Sequence, residues 1–250
     1  SISEQYRVTR QKLSSKWSTK RCIPYFQAHT NTYAPISVLK EKFEEAIALD
    51  GVVGMNIATR ADCISDAAAE YLAELAERTV LTVELGLQSV HDVTAEIINR
   101  GHTFAQFVEG YERLRRASGK IGIGIHLIFG LPGENDAMML DSVREVARLH
   151  PDQVKLHLLH VLRSSRLAEV YEWGEYSPLE REHYISLVVR ALELLPPDVV
   201  IARLTGDGMG EDLLAPEWSR KKVSVINDID KMLYALDTFQ GKKATETNIE

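Results

Sequence analysis

Charged side chains recur inside segments of the chain that are otherwise apolar. Glu84 lies within VLTVELGLQ, His126 within IGIGIHLIF and Lys155 within QVKLHLLH. A lysine in such a place can form a Schiff base with a carbonyl substrate or bind an anion, and a histidine can exchange a proton or bind a ligand. An ion pair between Glu84 and Lys155 would explain both charges equally well. The pattern therefore predicts a polar interior and leaves its chemistry open.

A glycine-rich segment and a few potential metal ligands also stand out. The segment TGDGMGE at 205–211 could hold a phosphate on its backbone N–H groups, but a tight turn fits it equally well. His157 and His160 are three residues apart on a predicted strand, so we expect them to face opposite sides and not to share a metal ion. Cys22 and Cys63 are two thiols, too few for a cysteine-ligated cluster, and we predict no metal ligands in this chain.

Apolar segments alternate with amphipathic ones, which predicts parallel strands joined by helices. The predicted strands are 22–26, 52–58, 80–87, 121–129, 153–160 and 199–204. The predicted helices are 2–18, 36–49, 66–77, 91–99, 104–117, 136–149, 167–173, 179–194 and 219–237. Polar residues alternate with apolar ones in these strands, whereas parallel strands covered on both faces are normally apolar throughout. We therefore expect one face to line a ligand-binding interior, in a partial barrel or in an open doubly wound sheet.

Composition and charge exclude several classes of protein. The chain has 250 residues, of which 45% are hydrophobic and 26% charged, and this is typical of a globular domain rather than a disordered or fibrous chain. Its formal net charge of −7 gives no overall basic field for nucleic acid. No apolar run reaches the length of about 18 residues that a membrane span needs. We expect no membrane partner and a cytoplasmic location.

Several motifs together resemble the radical SAM superfamily. VELGLQS at 83–89, INRGHT at 98–103 and IHLIFGLPGE at 125–134 follow one another as in the elongator catalytic subunit and in oxygen-independent coproporphyrinogen oxidase. The chain most resembles the YhcC/YtqA-like family, which also matches YFQAHTNTYAP, IATRADC, VKLHLLHV and RLTGDG. Each motif is weak alone, but together they are specific and extend over nearly the whole chain.

The resemblance implies a partial (β/α)6 TIM-like barrel built on a parallel sheet. In the family, the first strand and the loop after it carry a CxxxCxxC-type cluster motif, and this part is missing from the present chain. We expect the cluster's cysteines to lie upstream of Ser1. We also expect residues 1–237 to form the barrel domain and residues 238–250 to be a flexible tail.

The cofactors that the resemblance implies are S-adenosylmethionine and a [4Fe–4S] cluster whose ligands lie outside this chain. Residues 27–32 stand where the family has a Gly-rich motif for the methionine amino group, Arg100 where relatives contact the cofactor's carboxylate, and His126 where some relatives have a ribose-binding aspartate. The predicted cofactor-binding residues are Gln27, Thr30, Asn31, Arg60, Glu84, Gln88, Arg100 and His126. The residues predicted to line the substrate side are Lys155, His157, Arg203 and Asp207. No catalytic residue is assigned.

The activity implied by the resemblance is reductive cleavage of S-adenosylmethionine to a 5′-deoxyadenosyl radical. Similarity to the elongator subunit suggests a tRNA wobble uridine as substrate, with flavodoxin or ferredoxin as electron donor. The chain without its cluster segment is expected to be inactive. Two other functions fit the residues alone: a Schiff-base aldolase or lyase that uses Lys155 with a phosphate at 205–211, and a non-catalytic binding module.

Overall fold

A parallel sheet of six strands is the framework of the protein. A computed structural model describes residues 1–14, 20–206 and 210–244. The sheet has the order β1 (Tyr25–Phe26), β2 (Gly54–Thr59), β3 (Val80–Gln88), β4 (Gly122–Phe129), β5 (Gln153–Leu158) and β7 (Val200–Arg203). Two short strands, β6 (Val161–Leu162) and β8 (Leu213–Ala215), form a separate antiparallel pair. The predicted α/β class with a six-stranded parallel sheet is confirmed.

Helices alternate with the strands as predicted. They are α1 (Ile2–Ser14), α2 (Ile36–Ile47), α3 (Asp66–Ala76), α4 (Asp92–Ile97), α5 (Phe104–Ala117), α6 (Asp136–Leu149), α7 (Arg166–Glu172), α8 (Arg181–Leu194) and α9 (Lys222–Ala235). Short 3-10 turns occur at Ala61–Cys63, Gly210–Asp212 and Glu217–Arg220. The last of these turns replaces the first residues predicted for α9, and residues 15–18 of the first predicted helix lie outside the described residues. In the described part of the chain, no helix combines the length and the apolar character needed to cross a membrane.

The first of two compact units comprises residues 1–86 and 105–124. Its core is built from apolar side chains of β2, α3 and α5, which include Met55, Ile57, Leu72, Leu75, Phe107 and Leu114. A Cβ added at Gly110 of α5 would lie 2.2 Å from the carbonyl oxygen of Ala61. The glycine therefore lets α5 lie directly against the chain that leaves β2. Arg113, one turn further along α5, donates to the carbonyl of Ile64 over 2.9 Å.

The second unit comprises residues 87–104 and 125–250. Tyr184 of α8 is fully buried in its core, with its ring centroid 6.3 Å from that of Phe129 at the end of β4. The Tyr184 hydroxyl donates to the carbonyl of Leu204 over 2.8 Å, which fixes the chain just after β7. Asn135 caps α6 because its side chain accepts a hydrogen bond of 3.1 Å from the Met138 N–H. The second unit thus anchors the ends of β4 and β7.

Strands β2 to β5 bury one face completely, whereas most residues on the other face are half-buried and Glu84 of β3 is an exception that is buried. No surface is exposed at Leu85 and Leu87 of β3 or at Leu156 of β5. By contrast, Gln88, which follows Leu87, and His157, which follows Leu156, are half-buried. This alternation follows from the two-residue period of a strand. The prediction that one face of the strands is polar is confirmed.

Residues 238–244, which belong to the predicted tail, hydrogen-bond to the end of α8. The Gly241 N–H donates to Leu192 over 3.0 Å, and the Lys243 N–H donates to the Glu193 carbonyl over 2.8 Å. The Thr238 hydroxyl donates to the Glu193 carboxylate over 2.6 Å. This segment is therefore docked on the second unit, while residues 245–250 lie outside the described residues.

Candidate functional site

In the first unit, the loop after β1 is tied to the end of β2. The Asn31 side-chain amide donates to the Ala58 carbonyl over 2.8 Å and to the Phe26 carbonyl over 3.2 Å. The buried Thr32 hydroxyl lies 2.6 Å from that of Thr59. Asn31, a predicted cofactor residue, therefore holds the loop in place. Of the other two predicted residues there, Gln27 is exposed and Thr30 is half-buried.

Glu84 is the buried acid of the first unit. It is 2% exposed, and its Oε2 accepts a hydrogen bond of 2.6 Å from the hydroxyl of Tyr25 on β1. Sequence reasoning missed Tyr25, although its position on a predicted strand could have suggested it. The hydroxyl fixes one carboxylate oxygen of Glu84 in the polar face of the sheet.

Arg60 is paired with an acid that the sequence analysis did not single out. Its Nε and Nη2 donate to the two carboxylate oxygens of Asp62 over 2.9 and 2.7 Å. This bidentate pair raises the pKa of Arg60 and compensates its charge.

In the second unit, Arg100 holds the backbone at the carboxyl end of β3. Its side chain is almost completely buried, and it donates to the carbonyls of Leu87 over 2.8 Å, of His102 over 2.8 and 3.0 Å, and of Ser89. Gln88, between the first and last of these carbonyls, has a φ of 68°, which is uncommon for a residue other than glycine. The guanidinium therefore fixes the conformation of Gln88. A contact of Arg100 with the cofactor's carboxylate stays a prediction.

Glu134, in the turn that follows β4, is linked to Arg100 through Ser89, whose carbonyl accepts a hydrogen bond from the guanidinium. Its carboxyl group accepts a hydrogen bond from the Ser89 hydroxyl, and burial raises the pKa of Glu134 although that hydrogen bond opposes the shift. Gly130 and Gly133 have φ values of 86° and 84°, so the turn needs glycine at both positions. The motif GLPGE pointed to this turn, but the sequence did not identify Glu134 as a site residue.

His126 of β4 and His157 of β5 are neighbours on the polar face. Their ring centroids are 5.3 Å apart. Burial, followed by the charges of His126, Arg203 and Lys155, lowers the pKa of His157 to about 3. The imidazole is therefore neutral near pH 7, and its buried Nε2 has no hydrogen-bond partner among the described residues.

The structure corrects the prediction that His157 and His160 face opposite sides. A Cβ at Gly206 would lie 3.1 Å from Cε1 of His160 and 3.9 Å from Nδ1 of His157, so both rings approach the same backbone position. The reason is that β5 ends at Leu158, two residues before the predicted end, and the alternation of side chains ends with it. Nevertheless, no three metal-binding side chains of the described residues are grouped so that they could hold a metal ion.

Lys155 and Arg203 stand opposite each other on the neighbouring parallel strands β5 and β7. The register shifts just before this pair, because Val154 pairs with Ile201 while Lys155 pairs with Arg203. Ala202 is thus an extra residue, a β-bulge, that places Arg203 on the half-buried face with Lys155. The fourth predicted substrate residue, Asp207, lies outside the described residues, as do residues 208 and 209 of the predicted phosphate loop.

The described residues fit an adenosyl cofactor better than they fit a metal cluster. The Gln88 amide makes no hydrogen bond within the described part of the chain, and His157 Nε2 is also unpaired there, so both can bind a ligand. Cys22 and Cys63 are free thiols, and their number does not supply a cluster's ligands.

Comparison with known proteins was made by sequence and by structure. Residues 14–146 match a family model described as the Radical SAM superfamily, and residues 151–235 match one described as the Radical_SAM C-terminal domain. YtqA of Bacillus subtilis is 45% identical over 238 residues, which cover 95% of this chain and 73% of YtqA. A protein of Methanocaldococcus jannaschii named tRNA uridine(34) acetyltransferase is 28% identical over 194 residues, 76% of this chain and 34% of that protein.

The fold is also found in a solved structure. The archaeal Elp3 of Methanocaldococcus infernus superposes with a TM-score of 0.79 at 19% identity, over 96% of this chain and 60% of that one. This likeness shows a shared fold. The present chain spans about three fifths of that longer protein.

Proposed function

The chain belongs to the radical SAM superfamily, and we propose that it is the cofactor- and substrate-binding part of a radical S-adenosylmethionine enzyme. The proposed substrate is a tRNA wobble uridine. The cluster that reduces the cofactor would be held by cysteines outside this chain, with flavodoxin or ferredoxin as the electron donor.

The observation that carries the proposal is the clamped backbone at Gln88. A left-handed conformation costs a residue with a Cβ on the order of 1–2 kcal/mol, and it persists only where its surroundings impose it. Arg100 imposes it through the carbonyls on both sides of Gln88. Such strain at the carboxyl end of a parallel strand, beside an unpaired amide, is typical of a ligand-binding position.

In this proposal the cofactor supplies the radical and residues of the second unit hold its adenosyl part. S-adenosylmethionine, when bound and reduced, supplies a 5′-deoxyadenosyl radical that takes a hydrogen atom from the substrate. In the second unit, Gln88 and His126 would hold its adenosyl part, with Gln88 oriented by Arg100. A role in cofactor binding for Gln27, Thr30, Asn31, Arg60 and Glu84 of the first unit stays a prediction from the sequence.

A neutral imidazole in the second unit suits a site that must exclude water. His157 is neutral near pH 7 because its pKa is lowered to about 3. Burial also raises the pKa of Glu134, although hydrogen bonds from Ser89 and Thr94 oppose the shift. The neutral imidazole of His157 brings no charge of its own to the polar face.

The tRNA substrate is supported by similarity to the relative whose name includes tRNA uridine(34). The identity to that relative is 28%, and the similarity covers 34% of its length, so the substrate is an inference from this likeness alone. A tRNA-dependent increase in cofactor cleavage would support it directly.

Cofactor binding can be tested on this chain by calorimetric titration with S-adenosylmethionine. We expect binding that Gln88→Ala weakens about tenfold, because one amide contact to a charged ligand contributes on the order of 1.5 kcal/mol. Gln11→Ala on the surface of α1 is the matched control and should bind like the wild type. The proposal is wrong if the unmodified chain does not bind or if both variants bind alike.

Activity is tested on a protein that also carries the predicted cysteine segment, reconstituted and reduced without oxygen. We expect 5′-deoxyadenosine, formed faster in the presence of tRNA and lost in Gln88→Ala. Absence of 5′-deoxyadenosine from a protein with a spectroscopically intact cluster would exclude the radical reaction. Formation that tRNA does not change would exclude the proposed substrate.

A further inference from the structure

We propose that Lys155, Arg203 and His157 of the second unit form a subsite for an anionic group, a phosphate or a carboxylate, of the substrate. All three side chains are half-buried and belong to the ends of β5 and β7. As an assignment of the substrate's charged group, the inference rests on the proposed function. As an anion site, it can be tested without cofactor or cluster.

The first argument is the β-bulge at Ala202. Without it, Arg203 would share a face with Ile201, whose partner Val154 is fully buried in the apolar core. The extra residue turns Arg203 to the polar face and sets it opposite Lys155. Bulges are common beside binding sites because they redirect a single side chain in this way.

The second argument is the unpaired guanidinium of Arg203. Within the described part of the chain, no hydrogen bond or ion pair holds it, although it stands opposite Lys155 on a half-buried face. The charges of Arg203 and Lys155 both disfavour a proton on His157, so the two cations lie near that imidazole. An anion at this place would accept hydrogen bonds from the guanidinium and be attracted by both cations.

The third argument is the unpaired imidazole of His157. Its Nε2 is buried and has no partner among the described residues, and a buried nitrogen left without a hydrogen bond destabilises the protein. Beside it is the Gly206 backbone, where a Cβ would come within 3.1 Å of His160. The glycine leaves room for the two rings near the cation pair. A neutral imidazole can donate one hydrogen bond to an oxyanion that also contacts Lys155 and Arg203.

The planar fork of Arg203 suits a phosphate or a carboxylate equally well, and these could come from a nucleotide or from a small acidic molecule. The test therefore uses three probes: inorganic phosphate, adenosine 5′-monophosphate and succinate. Binding of the chain to each is measured by calorimetry at low ionic strength. Preference for the two phosphates indicates a nucleotide source, and preference for succinate a carboxylate source.

The decisive variant is Arg203→Gln, with Arg144→Gln on the surface of α6 as a control that removes the same charge. We expect Arg203→Gln to weaken the preferred anion about tenfold or more and Arg144→Gln to change it less than about twofold. Arg203→Lys keeps the positive charge but loses the planar set of N–H donors, so its affinity for the anion should lie between those of the other two variants. Circular dichroism monitors the fold, and Lys155→Gln provides a second reduction in charge if Arg203→Gln unfolds.

Equal weakening in Arg203→Gln and Arg144→Gln would show non-specific attraction to a basic surface and would overturn the inference. So would the absence of measurable binding to all three probes. Failure of S-adenosylmethionine to bind, with anion binding intact, would refute the proposed function and leave the anion subsite standing. The experiments can therefore refute the proposed function and the anion subsite independently of each other.

Discussion

The guanidinium of Arg100 donates to backbone carbonyls and so stabilises a conformation that Gln88 would not adopt alone. Its targets are the carbonyls of Leu87, Ser89 and His102, all in the second unit. All these hydrogen bonds are made within the protein. In the proposed cofactor site, Arg100 would therefore act through its neighbour Gln88, whose amide would contact the ligand.

We predict that Arg100→Lys destabilises the protein by about 2–4 kcal/mol, because a lysine cannot reach all the carbonyls and leaves some of them unsatisfied in the interior. The measurement is urea unfolding followed by circular dichroism. Arg144→Lys on the surface of α6 is the control and should lie within about 0.5 kcal/mol of the wild type.

Combining Arg100→Lys with Gln88→Gly tests whether the clamp holds Gln88. Glycine adopts a positive φ without steric cost, so the effect of Arg100→Lys should be smaller by about 1 kcal/mol in the Gln88→Gly background. Simple additivity of the two changes would mean that Arg100 stabilises the protein by a route that does not involve Gln88.

We predict that His157 makes stability depend on pH between about 6 and 4. The pKa of His157 is lowered to about 3 in the folded protein, and a histidine of an unfolded chain titrates near 6.5. Between these values the unfolded state binds the extra proton. Stability is therefore complete above about pH 6.5 and falls as pH decreases, by at most roughly 1.4 kcal/mol per pH unit.

Urea unfolding of His157→Gln across this pH range checks the prediction, because the slope should become shallower than in the wild type. His183→Gln on α8 controls for the loss of an imidazole. The groups that disfavour the proton are His126, Lys155, Arg203 and His160. An unchanged slope in His157→Gln would show that His157 takes up its proton in the folded protein as readily as in the unfolded one.

Single residues of the site were predictable where a strand placed them and unpredictable where tertiary contacts did. Gln88 and His126 were proposed from motif position and side-chain alternation, and the structure places both at strand positions, whereas their role in binding stays a prediction. Most partners of Arg100 are backbone carbonyls, which carry no signal in the sequence; the Asp92 carboxylate, 3.4 Å from Nη2, is a further partner. Glu134 was missed because its role depends on the Ser89 hydroxyl, 45 residues away along the chain.

Among the elements, the strands were predictable and their irregularities were not. Alternating polar and apolar residues identified all six strands of the sheet, because the two-residue period is a property of the sequence itself. The bulge at Ala202 inserts a small residue that leaves this pattern almost unchanged. The placement of His160 was wrong because the apolar pattern continues past Leu158, where strand pairing stops.

We predict that Gly110→Ala destabilises the protein by about 2–4 kcal/mol, because its methyl group would overlap the Ala61 carbonyl oxygen 2.2 Å away and force α5 off the chain after β2. Gly119→Ala is the matched control. A Cβ at Gly119 meets no atom within 4 Å, and its stability should stay within about 1 kcal/mol of the wild type. Thermal unfolding compares the two; equal stability would mean that α5 can shift without cost.

At the scale of the whole molecule, charge limits how the chain can bind a polyanion. The formal net charge of −7 repels nucleic acid at long range, so any tRNA contact must depend on local cations. The Lys155–Arg203 pair is one such group, and it lies on a half-buried face rather than on an extended basic surface. A few strong contacts are expected in place of a broad electrostatic interface.

We therefore predict a shallow salt dependence for tRNA binding. Each neutralised phosphate contributes about −0.7 to −0.9 to the slope of log K against log salt, so a chain that uses few phosphates should give a slope no steeper than about −3. Fluorescence anisotropy with labelled tRNA between about 50 and 200 mM salt measures it. Arg203→Gln should make the slope shallower by about one unit if its anion is a phosphate of the tRNA. A slope near −6 or steeper would instead indicate an extended basic surface formed despite the acidic net charge, and the few-contact interpretation would be wrong.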